Sequence, residues 1–158
     1  MKRDMDLCRK ILFAIEEQYI DTAIFDMKIE NYSIEQIAYH CQILYDAGFI
    51  SNYKAQYASN KIWSYAVGAL TWEGHEFLDK IREDTIWNKT KDIIVKKGLP
   101  MALDIIKEIA TGIISAAVEG AVKGSLVSVI QPFTQSKETW SALKDKAMYI
   151  GKITAITK

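Results

Sequence analysis

The chain has 158 residues, of which 49% are hydrophobic and 25% charged, with 20 basic and 20 acidic side chains. This length accommodates one ordinary domain with an appendage, and the composition excludes a disordered or low-complexity protein. Residues 1–97 hold 13 basic and 15 acidic residues, and residues 98–158 hold 7 and 5. Neither half therefore has the basic excess that is typical of nucleic-acid-binding proteins.

The N-terminal segment and the two cysteines predict a cytoplasmic protein. Residues 1–6 are charged and lead directly into a helical pattern, without the apolar run of a secretory signal. Cys8 and Cys41 are the only cysteines, and each falls on the apolar face of a predicted helix, where a free thiol acts as a small hydrophobe.

The first predicted elements are a helix and a short strand. Cys8, Leu12, Ile15 and Tyr19 recur at spacings of four, three and four residues, which predicts a helix from Asp4 to Tyr19. The segment Ala23–Ile29 is rich in strand formers and bounded by polar residues, so it predicts a strand at the edge of a sheet.

A second helix is predicted from Ser33 to Ala47. Ser33 and Gln36 form a capping-box pattern at its start, and Gly48 supplies the left-handed residue that ends it. Its inward positions are predicted to be Ile34, Ile37, Ala38, Cys41, Leu44 and Tyr45, whereas His40 is expected to point away from the core.

A β-hairpin and a closing helix follow. Residues 50–57 and 62–69 alternate aromatic or β-branched side chains, including Trp63 and Tyr65, around the turn-forming residues 58–61. Thr71 is predicted to cap a helix that carries Phe77, Leu78 and Ile81 inward; a restart at residues 84–85 leads to a helix over 86–97 that stops at Gly98.

This order predicts an α+β fold, with a winged helix-turn-helix domain over residues 1–97 and an α-helical extension over 98–158. The phrases Leu44–Ile50 and Leu70–Leu78 resemble winged-helix regulators, in which a recognition helix ends in glycine and a Leu-Thr-x-x-Gly turn opens the closing helix. Residues 1–7, 37–40 and 70–82, with Trp87, resemble an uncharacterised phage and prophage family, a domain of unknown function similar to YjcQ-like proteins. The resemblance implies no activity or active site, and its phage context suggests host regulation or interference with host defence.

The extension is predicted to contain a long helix over 100–130 and a shorter helix over 137–150. A ridge of small residues follows the long helix at intervals of four: Gly112, Ala116, Gly120, Gly124 and Ser128. Glycine disfavours a helix interior by about 1 kcal/mol relative to alanine, so close packing on this ridge is expected. Three partners could cover this ridge: the shorter helix folding back, a second copy of the chain, or a membrane. The uncharged run 109–118, however, has only half of the roughly 20 residues that a membrane-spanning helix needs.

The sequence favours a protein without catalytic residues. His75-Glu76-Phe77-Leu78-Asp79 resembles a zinc-protease helix but has Asp79 at the second histidine position. His40 and Cys41 are adjacent on a helix and therefore point about 100° apart. Because no phosphate-binding loop or nucleophile elbow occurs, we expect no enzyme, cofactor, metal site or small-molecule substrate.

The predicted recognition helix has no lysine or arginine, although phosphate contacts usually supply much of the affinity for DNA. The sequence therefore favours a protein-binding module whose partner is another protein or a second copy. A DNA-binding regulator is the alternative, and a membrane-active protein the second alternative. In either of the first two cases the predicted partner or DNA surface comprises Gln36, Tyr39, His40 and Ile43, with Lys54 and Lys61 by the wing.

Overall fold

A computed structural model describes the backbone of residues 1–130 and the side chains of residues 1–124. The predicted helix over 137–150 and the side chain of Ser128 lie outside these described residues. The elements are α1 (Met5–Gln18), β1 (Ile24–Phe25), α2 (Ile34–Asp46), β2 (Tyr53–Ala58), β3 (Lys61–Val67), α3 (Trp72–Ile81), α4 (Asp84–Lys96) and α5 (Leu103–Ile130). This architecture confirms the mixed α+β class.

Side-chain caps and the predicted periodicities account for α1 and α2. The Asp4 carboxylate accepts the backbone N–H groups of Asp6 and Leu7, which fixes the start of α1. The capping box of α2 is present, because the backbone N–H of Ser33 donates to Gln36 Oε1 at 2.9 Å and that of Gln36 donates to Ser33 Oγ at 3.3 Å. Gly48 has a φ of 80°, as its predicted role at the end of α2 requires.

The inward orientation predicted for one residue of α2, Tyr45, is wrong. Tyr45 is exposed, while the neighbouring Leu44 is buried. Successive helical side chains point about 100° apart, and the position of Leu44 on the core side leaves Tyr45 facing solvent.

The three strands form one antiparallel sheet in the order β1-β3-β2. The edge position predicted for the first strand is confirmed, but the strand has two residues instead of seven. Asp26 ends it, because its φ of 45° turns the chain and its carboxylate accepts the Tyr65 backbone N–H at 2.9 Å. The side chain of Asp26 thus supplies a bond that a longer strand would have made.

A bulge interrupts the predicted alternation of β3. Gln56 pairs with Ser64 and Tyr57 pairs with Ile62, so Trp63 is the extra residue and is 69% exposed. Beyond the bulge, the expected alternation holds at Tyr65 and Val67, which are buried.

The hairpin turn and the closing helices follow the sequence closely. Ser59 and Asn60 have φ values of 51° and 62°, the conformation of a tight type I′ turn. Thr71 Oγ1 accepts the Gly74 backbone N–H at 3.1 Å, and the three residues predicted to point inward from α3 are buried. Gly98 has a φ of 61° after α4, as predicted.

The described part of the chain divides after Ile114: residues 1–114 form one compact unit, and residues 115–130 belong to a second unit. Ile106 and Ala110 of α5 are buried in the core of the first unit, which therefore extends past the predicted boundary at residue 97. In the second unit, the described residues 115–130 are helical. No helix between Met1 and Ile130 combines enough length and apolarity to cross a membrane.

Candidate functional site

A groove of about 370 Å³ lies between α2 and the β2–β3 hairpin. Its walls combine three tyrosines with two apolar, two amide and two oppositely charged side chains. The lining residues are Glu35, Ala38, Tyr39, Gln42, Tyr53, Tyr57, Asn60, Lys61 and Ile62. We call this the tyrosine groove.

Two elements position the tyrosines. Tyr39 and Gln42 are three residues apart and share one face of α2, while Tyr53 and Tyr57 come from β2 on the opposite wall. The Tyr39 ring packs edge-to-face on His40, with centroids 5.3 Å apart. Burial raises the pKa of Tyr53 to about 12, so this phenol stays protonated and can donate a hydrogen bond near neutral pH.

The structure does not bring the six predicted surface residues together. Tyr39 and Lys61 line the tyrosine groove, whereas Gln36 and His40 border a depression at the N-terminus. Ile43 is half-buried against the core, and Lys54 lies on the outer face of the sheet. The residues of the predicted partner or DNA surface are therefore divided among several surfaces, and the tyrosine groove holds two of them, Tyr39 and Lys61.

The expected exposure of His40 is wrong, since this residue is only 2% exposed. The Asp4 backbone N–H donates to His40 Nε2 at 2.8 Å, and His40 Nδ1 lies 2.7 Å from the Gln36 carbonyl oxygen. Together these bonds require a neutral ring with its proton on Nδ1. His40 therefore joins the start of α1 to α2 and is not available to a base edge or a partner.

Replacing His40 with alanine is expected to lower the free energy of unfolding by about 2–3 kcal/mol, because it leaves a cavity and an unpaired Asp4 N–H. Urea denaturation of the purified chain measures this loss. His75→Ala is the matched control, since the His75 side chain is 50% exposed, and it is expected to change stability by less than about 0.5 kcal/mol. Equal losses in the two variants would contradict the structural role of His40.

The remaining candidate chemical groups fit structural roles. Cys8 and Cys41 are buried as free thiols, as the sequence predicts, and burial raises the pKa of each to about 12. Thiols with such raised pKa values are poor nucleophiles. Within residues 1–130, no three histidine, cysteine or acidic side chains lie in an arrangement that could hold a metal.

A polar cluster on α1 and α4 stands outside the groove. Asp6 Oδ1 accepts Trp87 Nε1–H at 2.6 Å and Lys91 Nζ–H at 2.9 Å. Burial alone would raise the pKa of Asp6, but the hydrogen bonds from Lys91 and Trp87, with the charges of Lys91 and Arg9, outweigh it and lower that pKa. The folded state therefore favours the ionised carboxylate.

The lowered pKa of Asp6 makes stability depend on pH. The unfolded chain binds a proton at Asp6 at higher pH than the folded chain. The contribution of ionised Asp6 to the free energy of unfolding is therefore present above about pH 4 and is lost as pH falls through the folded pKa. We expect Asp6→Asn to cost less than about 1 kcal/mol at pH 7, because the pair is half-exposed, and less at pH 3. Urea denaturation at both pH values checks this. A stability difference between wild type and Asp6→Asn that is larger at pH 3 than at pH 7 would contradict the lowered pKa of Asp6. Asp21→Asn, on an exposed loop, serves as control.

Sequence reasoning missed Gln42, Tyr53 and Tyr57 as members of the groove. Gln42 lies one helical turn after Tyr39, so the helical periodicity contains that signal. The placement of Tyr53 and Tyr57 opposite α2 depends on how the hairpin packs, which no local spacing encodes.

The small-residue ridge stays a prediction. Ala116 is exposed, and a side chain added at Gly112, Gly120 or Gly124 would meet no described atom of another element within 4 Å. The expected covering of the ridge therefore has no counterpart among the described residues.

Comparison with known proteins places the chain in a family. Residues 2–100, which include α1 to α4, match the family model described as "Hypothetical protein (DUF2513)". An uncharacterized protein of Haemophilus influenzae is 40% identical over 116 residues, which cover 73% of this chain and 97% of that protein. No solved structure matches the chain. The predicted membership of an uncharacterised family is confirmed: the chain belongs to the DUF2513 family.

Proposed function

We propose that this protein is a non-catalytic winged-helix protein that binds another protein through the tyrosine groove. The element order α1, β1, α2, β2–β3 hairpin and α3 supports a winged-helix interpretation. In that interpretation α2 is the recognition helix and the hairpin is the wing, so the groove lies where these two elements meet. Regulation of a host or interference with its defences would suit the phage resemblance.

The observation that carries the proposal is the concentration of Tyr39, Tyr53 and Tyr57 in one groove beside the apolar Ala38 and Ile62. Tyrosine is enriched where proteins bind one another, because it supplies a large, rigid apolar surface with a polar tip. The phenols and the amide of Gln42 can fix the orientation of a bound chain through hydrogen bonds.

Charge supports a protein partner over DNA. The single lysine of the groove, Lys61, is accompanied by Glu35, and Lys54 lies on a different surface. With no lysine or arginine in α2, the region offers few phosphate contacts in any one orientation. Self-association through the ridge and a membrane-active role remain separate predictions.

Selection of displayed random peptides on the full-length chain tests the proposal. We expect Tyr39→Ala to weaken the selected peptides at least about tenfold, because interface tyrosines often contribute more than 1 kcal/mol. Tyr45→Ala is the matched control, since Tyr45 is exposed on the same helix outside the groove, and it should retain binding.

A fluorescence titration with mixed-sequence duplex DNA at low salt provides the opposing test. Micromolar, salt-sensitive binding that is lost on replacing Lys54 and Lys61 would overturn the proposal in favour of a DNA-binding regulator. Peptides that bind equally well to wild type and Tyr39→Ala would also count against it.

A further inference from the structure

The β2 strand borders the tyrosine groove and forms one edge of the sheet. In the order β1-β3-β2, β3 pairs with β2 on one side, and no strand among residues 1–130 pairs with its other side. Such an edge presents unpaired backbone N–H and C=O groups that can template another strand.

The pairing of β3 identifies the groups that face this edge. The Asp26 backbone N–H donates to the Tyr65 carbonyl oxygen at 3.0 Å, so the backbone of Tyr65 points toward β1. On the other side, the Gly68 backbone N–H donates to the Asn52 carbonyl oxygen at 2.8 Å. Because antiparallel bonding alternates along a strand, the backbone groups of Tyr53 and Ala55 point away from β3, to the free edge.

The groove lies beside this edge. The side chains of Tyr53 and Tyr57 line it from β2, and those of Ala38 and Tyr39 line it from α2. A strand added to β2 would place every second side chain on the α2 side, beside this apolar and aromatic surface. The alternate side chains would lie on the outer face, next to Lys54.

The charge of Lys54 indicates which kind of strand can add to the free edge of β2. Lys54 is exposed and forms no ion pair with any described residue. Pairing of two β2 edges from two copies would bring both Lys54 side chains to one face, where like charges are unfavourable. An acidic side chain on the added strand, close to Lys54, is favourable for the same reason.

We propose that the partner is an extended peptide segment that adds to β2 as a fourth strand, with apolar residues toward the tyrosine groove and acidic residues beside Lys54. This inference rests on the proposed function and specifies how the groove is used. Backbone hydrogen bonds to Tyr53 and Ala55 supply affinity, and the alternation of apolar and acidic side chains supplies specificity.

The test uses a fluorescent peptide of about eight residues, a usual strand length, in which valine and glutamate alternate. Its binding to the full-length chain is measured beside that of a block peptide of the same composition. N-methylation of either all valine amides or all glutamate amides blocks only one edge of an added strand. We expect one methylated peptide to lose at least about tenfold in affinity and the other to retain it; equal affinities would overturn strand addition.

Two substitutions in β2 test the same contact from the protein side. Ala55→Pro removes an N–H that faces the free edge, a position at which proline is tolerated, and should weaken the alternating peptide at least about tenfold. Ala55→Val keeps the N–H and should retain binding. Lys54→Glu should weaken the alternating valine-glutamate peptide and favour one with lysine in place of glutamate. If Ala55→Pro does not fold, the methylated peptides decide.

The outcomes separate the two proposals. If the alternating peptide fails to bind while selected peptides still depend on Tyr39, strand addition is wrong and the groove remains a protein-binding site. If no peptide depends on Tyr39, both proposals fail.

Discussion

Replacing Gly74 with alanine is expected to destabilise the protein by about 2 kcal/mol. A Cβ at this position would lie 2.3 Å from the Phe49 carbonyl oxygen and 3.1 Å from its carbonyl carbon. These are backbone atoms, so no side-chain rotation can relieve the overlap. The same carbonyl accepts the Thr71 backbone N–H at 3.0 Å, which restricts any movement of α3 away from it.

Gly112→Ala is the matched control. Gly112 is also helical, but a Cβ there would meet no described atom of another element within 4 Å. Its replacement is expected to stabilise the chain by up to about 1 kcal/mol, the difference in helix propensity. Changes of opposite sign in the free energy of unfolding, measured by urea denaturation, would support the close approach of α3 to Phe49. Stabilisation by both substitutions would rule it out.

The requirement at Gly74 gives a physical reason for the Leu-Thr-x-x-Gly turn. Thr71 caps α3 through its side chain, and Gly74, three residues later, allows the helix to lie directly on the Phe49 backbone. Phe49 then stacks on Phe77 with ring centroids 5.0 Å apart. The turn thus fixes the closing helix against the segment that joins α2 to β2.

Local signals in the sequence were sufficient for the order and type of the elements in the first unit, but not for the length of β1. The capping box at Ser33 and the glycines after α2 and α4 act through neighbouring backbone groups, so their consequences could be predicted. His40 and Trp63 could not be placed in this way. The burial of His40 depends on Asp4, 36 residues earlier in the chain, and the exposure of Trp63 depends on a bulge in the pairing of two strands.

In the candidate site, too, local signals predicted individual residues but not the contacts between distant parts of the chain. Tyr39 and Lys61 were predicted as surface residues from helix periodicity and turn chemistry, and both line the tyrosine groove. Their association with Tyr53 and Tyr57 arises from the packing of the hairpin against α2. Their common position by the predicted wing also grouped Lys54 with Lys61, although the pleat of β2 places Lys54 on the outer face of the sheet.

Replacing Trp87 with alanine is expected to cost about 3–5 kcal/mol, the usual range for a buried aromatic residue. Trp87 is 2% exposed on α4 and donates through Nε1 to Asp6 on α1 at 2.6 Å. The cationic groups of Arg9 and Lys91 lie 5.9 and 5.4 Å from its ring centroid. Truncation would therefore leave a cavity and remove contacts that join α4 to α1.

Trp87→Phe separates packing from polarity, since it retains most of the ring volume and removes the donor to Asp6. We expect it to cost about 1–2 kcal/mol, clearly less than alanine. Trp72→Ala provides the control, because Trp72 is 77% exposed and its replacement should change stability by less than about 0.5 kcal/mol. Thermal or urea denaturation of the three variants should give the order Trp87→Ala, Trp87→Phe, Trp72→Ala in decreasing loss. Equal losses of stability in Trp72→Ala and Trp87→Ala would contradict the assignment of the large effect at Trp87 to its burial and to its contacts with α1.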